Sequence, residues 1–302
     1  MPNHVISKEG AGSALVLVPN VLGGGAVYTN GNTGDTTHRA KGIVQGLHNQ
    51  GIPAGALAYD RIERNHLNKR TFLMGLPAAY GPNEYVALCA QQASSLQKEI
   101  DEIDPGKVIG FGASAGAQHY LNMLQTQKIE APDFAVLFDP PSVHNRSTFG
   151  LLGNWAVHQV ASMRRPNEAH NHHGMTSDEG GTAPVSVLED MATFRGIWTG
   201  EYAKEALLAL ARGAIAKSTG EGTTTALTIP ALTFTQSHAE AQNLCLNLNN
   251  ETNTGVHFRA RVAPGMYHSA TDDPEVCANL VLNALGYVSD KEALSYPPVS
   301  GE

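Results

Sequence analysis

The sequence predicts an α/β fold, a mostly parallel central sheet flanked by helices, and three observations carry that expectation. Short apolar runs such as Ala14 to Val18 (ALVLV), Ala54 to Tyr59 (AGALAY) and Phe134 to Phe138 (FAVLF) recur along the chain. They lack the alternation of a half-exposed strand, as expected where both faces of a parallel sheet are covered. Between them lie segments with helical spacing, and Gly or Pro punctuates the junctions. Strand and helix alternating at these intervals mean βαβ units with right-handed crossovers.

In chain order, Ala14 to Val18 ends in Pro19-Asn20-Val21-Leu22 and the glycines Gly23 to Gly25, whose backbone could approach a ligand closely. A helix is expected from near Thr37 to Asn49, stopped by Gly51 and Pro53, with Ala54 to Tyr59 as the second strand. After an Arg-, Asn- and His-rich loop at 61–71, a helix is expected from Asn83 to Ile103. Its apolar residues Tyr85, Leu88, Cys89, Ala93, Leu96 and Ile100 share one face. Pro105-Gly106 closes it, and the next strand opens at Lys107.

Lys107 to Tyr120 (KVIGFGASAGAQHY) is the stretch around which the chain is organised. A β-branched run passes through Gly112-Ala113-Ser114-Ala115-Gly116 and becomes helical from Ala117 to Gln127. The G-x-S-x-G spacing suits a serine on a strained strand-to-helix turn, where small neighbours avoid collision with the packed strand and helix. Ser114 is the candidate nucleophile, and the backbone N–H of Ala115, at the start of the new helix, is a candidate oxyanion donor. The same letters support a rival: Gly110-Phe-Gly112-Ala-Ser-Ala115 fits the dinucleotide pattern G-x-G-x-x-G/A of an oxidoreductase, with Asp139 as ribose ligand.

Phe134 to Phe138 stops at Asp139-Pro140-Pro141, since proline cannot continue a central strand. Residues 142–227 then break the rhythm. They include a His-rich stretch, Ala169 to Gly181, and helical patterns from Ser186 to Ile197 and Tyr202 to Ala216. This segment is expected to be a cap inserted into a core formed by 1–141 and 228–302. His170 to His173 fall in a polar loop without the fixed second shell of a metal site, so no metal is assigned to them. The rhythm returns at Ile229 to Thr235, followed by a helix from about Ala239 to Leu248 and a last strand at 256–262 (VHFRARV). A Pro-Gly turn is expected right after that strand, in Ala263-Pro264-Gly265-Met266-Tyr267-His268-Ser269, then a helix from Asp273 or Pro274 to Leu285, with a loosely attached tail beyond Tyr287.

His268 stands at a strand end on the sheet edge of the elbow, which makes it the candidate base. Two acids follow strands: Asp139, favoured, and Glu240, in the loop after Ile229 to Thr235. The 302 residues carry a formal net charge of −8, which argues against nucleic-acid binding. Cys89, Cys245 and Cys277 form no C-x-x-C pair and are expected to be small buried side chains. No apolar run is long enough to span a bilayer and no secretory signal is visible, so a cytoplasmic protein is expected.

The order of glycine-rich loop, Gly-x-Ser-x-Gly elbow, insertion and PGMYHS resembles the α/β-hydrolase superfamily over residues 14–287. The resemblance implies an α/β-hydrolase fold with a helical cap and a serine hydrolase acting on a small ester or related acyl compound, without cofactor. It makes Ser114 the nucleophile, His268 the base, and Val21 and Ala115 the oxyanion-hole positions. Its usual acid pattern, G-x-x-D, is replaced here by Gln236-Ser237-His238-Ala239, with Glu240 one place late. Phe138-Asp139-Pro140 instead resembles the Leu-Asp-Pro turn of some lipase-like members. The usual His-Gly after the first strand is Pro19-Asn20. A third possibility is a non-catalytic binding protein on the same fold. Substrate identity and oligomeric state are not legible.

Overall fold

The computed structural model describes residues 4–7, 13–19, 34–59, 82–140, 223–232, 238–251, 258–267, 270–271 and 273–295. Among them, seven strands form one sheet: β1 (His4–Ser7), β2 (Ala14–Pro19), β3 (Ala54–Tyr59), β4 (Lys107–Ala113), β5 (Phe134–Phe138), β6 (Thr224–Leu232) and β7 (Phe258–Tyr267). Their order is β1-β3-β2-β4-β5-β6-β7, and every pairing is parallel except β1 with β3. The helices are α1 (Gly34–Asn49), α2 (Pro82–Ile103), α3 (Ala115–Gln125), α4 (His238–Glu251), α5 (Pro274–Ala284) and α6 (Asp290–Ala293).

The apolar runs lack alternation because each strand feeds two cores. Leu15, Leu17, Leu57, Ala135, Leu137, Leu227 and Ile229 pack on one face with residues of α2, α3 and α4. Val16, Val18, Ile109, Phe111, Val136 and Phe138 pack on the other with residues of α1 and α5. The period of two sends neighbouring residues to opposite layers, and both layers exclude water. Cys89, Ala93, Leu96 and Ile100, the stripe expected on α2, are buried in the first layer.

The sheet reverses direction of growth at β2, which pairs with β3 on one side and β4 on the other. The carboxyl ends of β2 and β4 thus form a topological switch point, the place where open α/β sheets generally form a crevice. Ser114 stands there.

Several boundaries move. The antiparallel edge strand β1 was not expected, because its short pattern, His4–Ser7, carries little periodicity. Helix α1 begins at Gly34, not Thr37, and α4 extends to Glu251. Strand β6 begins at Thr224, so residues 224–227, expected in the insertion, belong to the sheet, paired with β5 from Phe134 to Leu137. Strand β7 runs to Tyr267, and Pro264-Gly265 lies within it rather than forming a turn after it. Pairing passes from Pro230↔Ala263 to Leu232↔Tyr267, which leaves three residues of β7 opposite one of β6. A bulge of this kind lets a proline without an N–H sit in a sheet.

Residues 288–295 of the tail are also tied down. Ser289 caps α6 in a reciprocal box with Glu292, Ala293 is buried, and the Asp290 carboxylate binds the Arg261 guanidinium at 2.5 Å. Asn283 also donates to Asp290, and these contacts hold its carboxyl below the ordinary aspartate value. The expected cap, its helices at 186–197 and 202–216, His170 to His173, Gly23 to Gly25 and the 61–71 loop lie outside the described residues.

Candidate active site

Strand β4 ends at Ala113 and α3 begins at Ala115, so Ser114 alone makes the turn. Its φ of 52° and ψ of −131° lie where L-residues are strained. The strain is imposed from both sides. The Ser114 N–H donates to the Phe138 carbonyl of β5 at 2.8 Å, and its own carbonyl accepts from the Gln118 N–H at 3.2 Å. The residue thus finishes the sheet and starts the helix at once.

Close approach of helix to strand explains the glycines. A Cβ on Gly112 would lie 2.6 Å from the Ala117 Cα, and one on Gly110 would lie 2.3 Å from the Tyr120 hydroxyl. Both glycines lie within β4, and the spaces beside them are filled by α3. This corrects the dinucleotide reading: its glycines must lie beyond the strand, where backbone can approach a pyrophosphate. A Gly112→Ala variant is expected to lose about 1–3 kcal/mol of stability, typical of overpacking, read as a lower urea midpoint. An unchanged midpoint would mean the elbow is looser than these distances imply.

Asp139 lies beside the elbow. Ala113 pairs with Phe138, so Ser114 and Asp139 leave neighbouring strands at the same level. The Asp139 N–H donates to the Thr228 carbonyl of β6 at 3.0 Å, its φ is 44°, and it is fully buried. Aspartate tolerates this left-handed region better than most residues. A buried carboxylate is costly unless it is engaged, so the position favours a polar task over packing.

Glu240 is placed differently from its expected loop. It is half-buried in the first turn of α4, which starts at His238, where an acid suits the helix dipole. Ala115 is the first residue of α3, so its N–H has no intrahelical acceptor and points toward the crevice end of the helix. Val21 lies two residues past Pro19, the end of β2, outside the described residues.

His268 also lies outside them. It follows Tyr267, the last residue of β7, and precedes buried Ala270 and Thr271. The carboxyl ends of β4, β5, β6 and β7 succeed one another along the same edge, about 4.8 Å per strand. Asp139 therefore stands between the elbow and the strand that leads to His268.

His119, five residues after Ser114, is directed elsewhere: its Nε2 lies 2.7 Å from Gln92 Oε1 of α2, and both side chains are buried. Gln118 and Asn122, four and eight residues after Ser114, are buried polar residues on α3 that the sequence reading did not single out. Their spacing from the serine along the helix was the available signal. The three cysteines are buried and none forms a disulfide. Burial pushes the Cys245 thiol up to about 11, away from nucleophilic use. Among the described residues, no cluster of His, Cys, Asp and Glu could hold a metal ion, and no helix is long and apolar enough to cross a membrane.

The sheet order, its antiparallel first strand and the serine elbow at the switch point define an α/β-hydrolase fold, and comparison with solved structures agrees. A serine hydrolase from the polyaromatic-hydrocarbon-degrading bacterium Cycloclasticus zankles is 15% identical over 95% of this chain and 94% of its own, with a TM-score of 0.51. A carboxylesterase structure from the ammonia-oxidizing thaumarchaeon Nitrososphaera gargenis (13% identical, 94% and 93% covered) and a bromoperoxidase from Bacillus anthracis (13%, 94% and 94%) give lower TM-scores, 0.47 and 0.46. No protein-family model and no curated protein matches the chain. At this identity the likeness is one of fold.

Proposed function

We propose that the protein is a serine hydrolase that cleaves a carboxylic ester or related small acyl substrate through an acyl-enzyme. The observation that carries this reading is the strained Ser114 turn, φ 52°, held between the Phe138 carbonyl and the first turn of α3. Strain maintained from both sides serves to present a hydroxyl at a fixed place.

In the proposed cycle His268 takes the Ser114 proton as the hydroxyl oxygen attacks the substrate carbonyl. The N–H groups of Ala115 and Val21 bind the oxyanion, and the positive end of α3 adds to that stabilisation. Collapse expels the alcohol, which receives the proton from His268. A water activated by the same imidazole then releases the acid. Asp139 fixes the imidazole tautomer and stabilises its cation. Its register beside Ser114 and complete burial support it over Glu240, the alternative acid. The cycle requires no cofactor. The segment 142–223 would cap the crevice and select the acyl group. Cysteines outside any disulfide fit a cytoplasmic setting.

Fluorophosphonate labelling tests the reading. The wild-type protein is expected to label at one serine, and Ser114→Ala or His268→Ala to abolish it while circular dichroism stays unchanged. Wild-type protein that is folded and unlabelled would sink the hydrolase reading and leave a binding protein on a hydrolase fold.

A further inference from the structure

Arg39 is among the largest fully buried side chains, 2% exposed, on the face of α1 that also buries Ile43 and Leu47. Its Nε donates to the Thr271 carbonyl, 232 residues away in sequence, at 2.5 Å. The Cys277 thiol of α5 reaches the same oxygen at 3.2 Å, and Thr271 is itself buried. One backbone carbonyl is thus held by two helices. It lies three residues after His268.

The surrounding interface is built for close approach. A Cβ on Gly42 would meet the Pro274 Cβ at 2.3 Å, and one on Gly46 the Ala278 Cβ at 2.7 Å. Helices α1 and α5 therefore touch through small residues, and α1 is the helix that follows β2 in the chain. An arginine here is a poor choice for stability alone, since apolar side chains of similar volume generally stabilise as well as or better than buried charge. What the guanidinium adds is a hydrogen-bond donor fixed in space and aimed at the Thr271 carbonyl.

Resting on the hydrolase reading, we infer that Arg39 is a positioning residue: it anchors Thr271 so that His268, between this anchor and the end of β7, meets Ser114 in the geometry needed for proton transfer. Reacting groups displaced by about 1 Å can lose on the order of 100-fold in rate. The tether should therefore act on kcat and leave KM little changed, because it touches no substrate.

The test compares Arg39→Met, which keeps the stem and removes every donor, with Arg39→Lys and Arg39→Gln, which keep one donor group. Gly46→Ala serves as a packing control, straining the same helix pair two turns away. Amide hydrogen exchange of the 267–272 peptide, steady-state kinetics on a p-nitrophenyl ester and fluorophosphonate labelling rates are measured on the full chain. For Arg39→Met the expected result is faster exchange in that peptide, about 100-fold lower kcat, unchanged KM and slower labelling. Lys or Gln should recover part of the loss, and Gly46→Ala should lower Tm without lowering kcat. Unchanged exchange or unchanged kcat in Arg39→Met overturns the inference, as does an equal kcat loss in Gly46→Ala. If Arg39→Met does not fold, the Lys and Gln variants decide by the same measures. Unlabelled wild-type protein overturns the hydrolase reading and the positioning role with it. Labelled wild type with unaltered exchange overturns the positioning role alone.

Discussion

An Asp139→Asn variant is expected to lose about four orders of magnitude in kcat, the loss typical when a triad carboxylate becomes an amide and the imidazole adopts the wrong tautomer. Asparagine is nearly isosteric and equally tolerant of the left-handed conformation at φ 44°, so the fold should survive. Glu240→Gln, in the first turn of α4, is expected to leave kcat unchanged and alter stability only slightly through the helix dipole. Steady-state rates on one p-nitrophenyl ester, with labelling rates beside them, measure both. The reverse pattern would assign the acid to the segment after β6. Equal, small effects from both variants would remove the carboxylate from the mechanism altogether.

Ser114→Gly is expected to raise stability while abolishing turnover. A backbone at φ 52° and ψ −131° is strained for serine and accessible to glycine. Relief of such strain amounts to about 1–3 kcal/mol, which for a chain of this size raises Tm by a few degrees. Loss of the nucleophile lowers kcat by about 10⁶-fold, as in serine hydrolases stripped of theirs. Thermal unfolding of wild type, Ser114→Ala and Ser114→Gly separates the two effects: alanine keeps the strain and glycine releases it. A glycine variant less stable than alanine would mean that the turn is not under strain, and would weaken the elbow argument at its root.

Much of the fold could be read from local pattern. The runs ALVLV, AGALAY and FAVLF are apolar at every position, so burial on both faces was the consistent reading, and β2, β3 and β5 occupy them. Gly112 was legible as the small residue of the elbow for the same local reason. Gly110 was not, because its requirement comes from Tyr120, ten residues on, whose ring fills the space a Cβ would need. The bulge at Pro264-Gly265 and the pinned segment 288–295 were misread as turn and loose end, since both depend on partners elsewhere: the β6 ladder and the Arg261 guanidinium.

The sequence by itself determined the strand-turn-helix at Ser114, the apolar strands and the α/β class, because spacing and residue size express themselves within a few positions along the chain. Only the tertiary structure set Asp139 at the end of β5 beside Ser114 and Glu240 in the first turn of α4, put Gly110 and Gly112 inside β4 and joined Arg39 to Thr271. Those choices depend on strand order and helix contact, which bring together residues up to 232 positions apart, and no local periodicity encodes a distance of that kind.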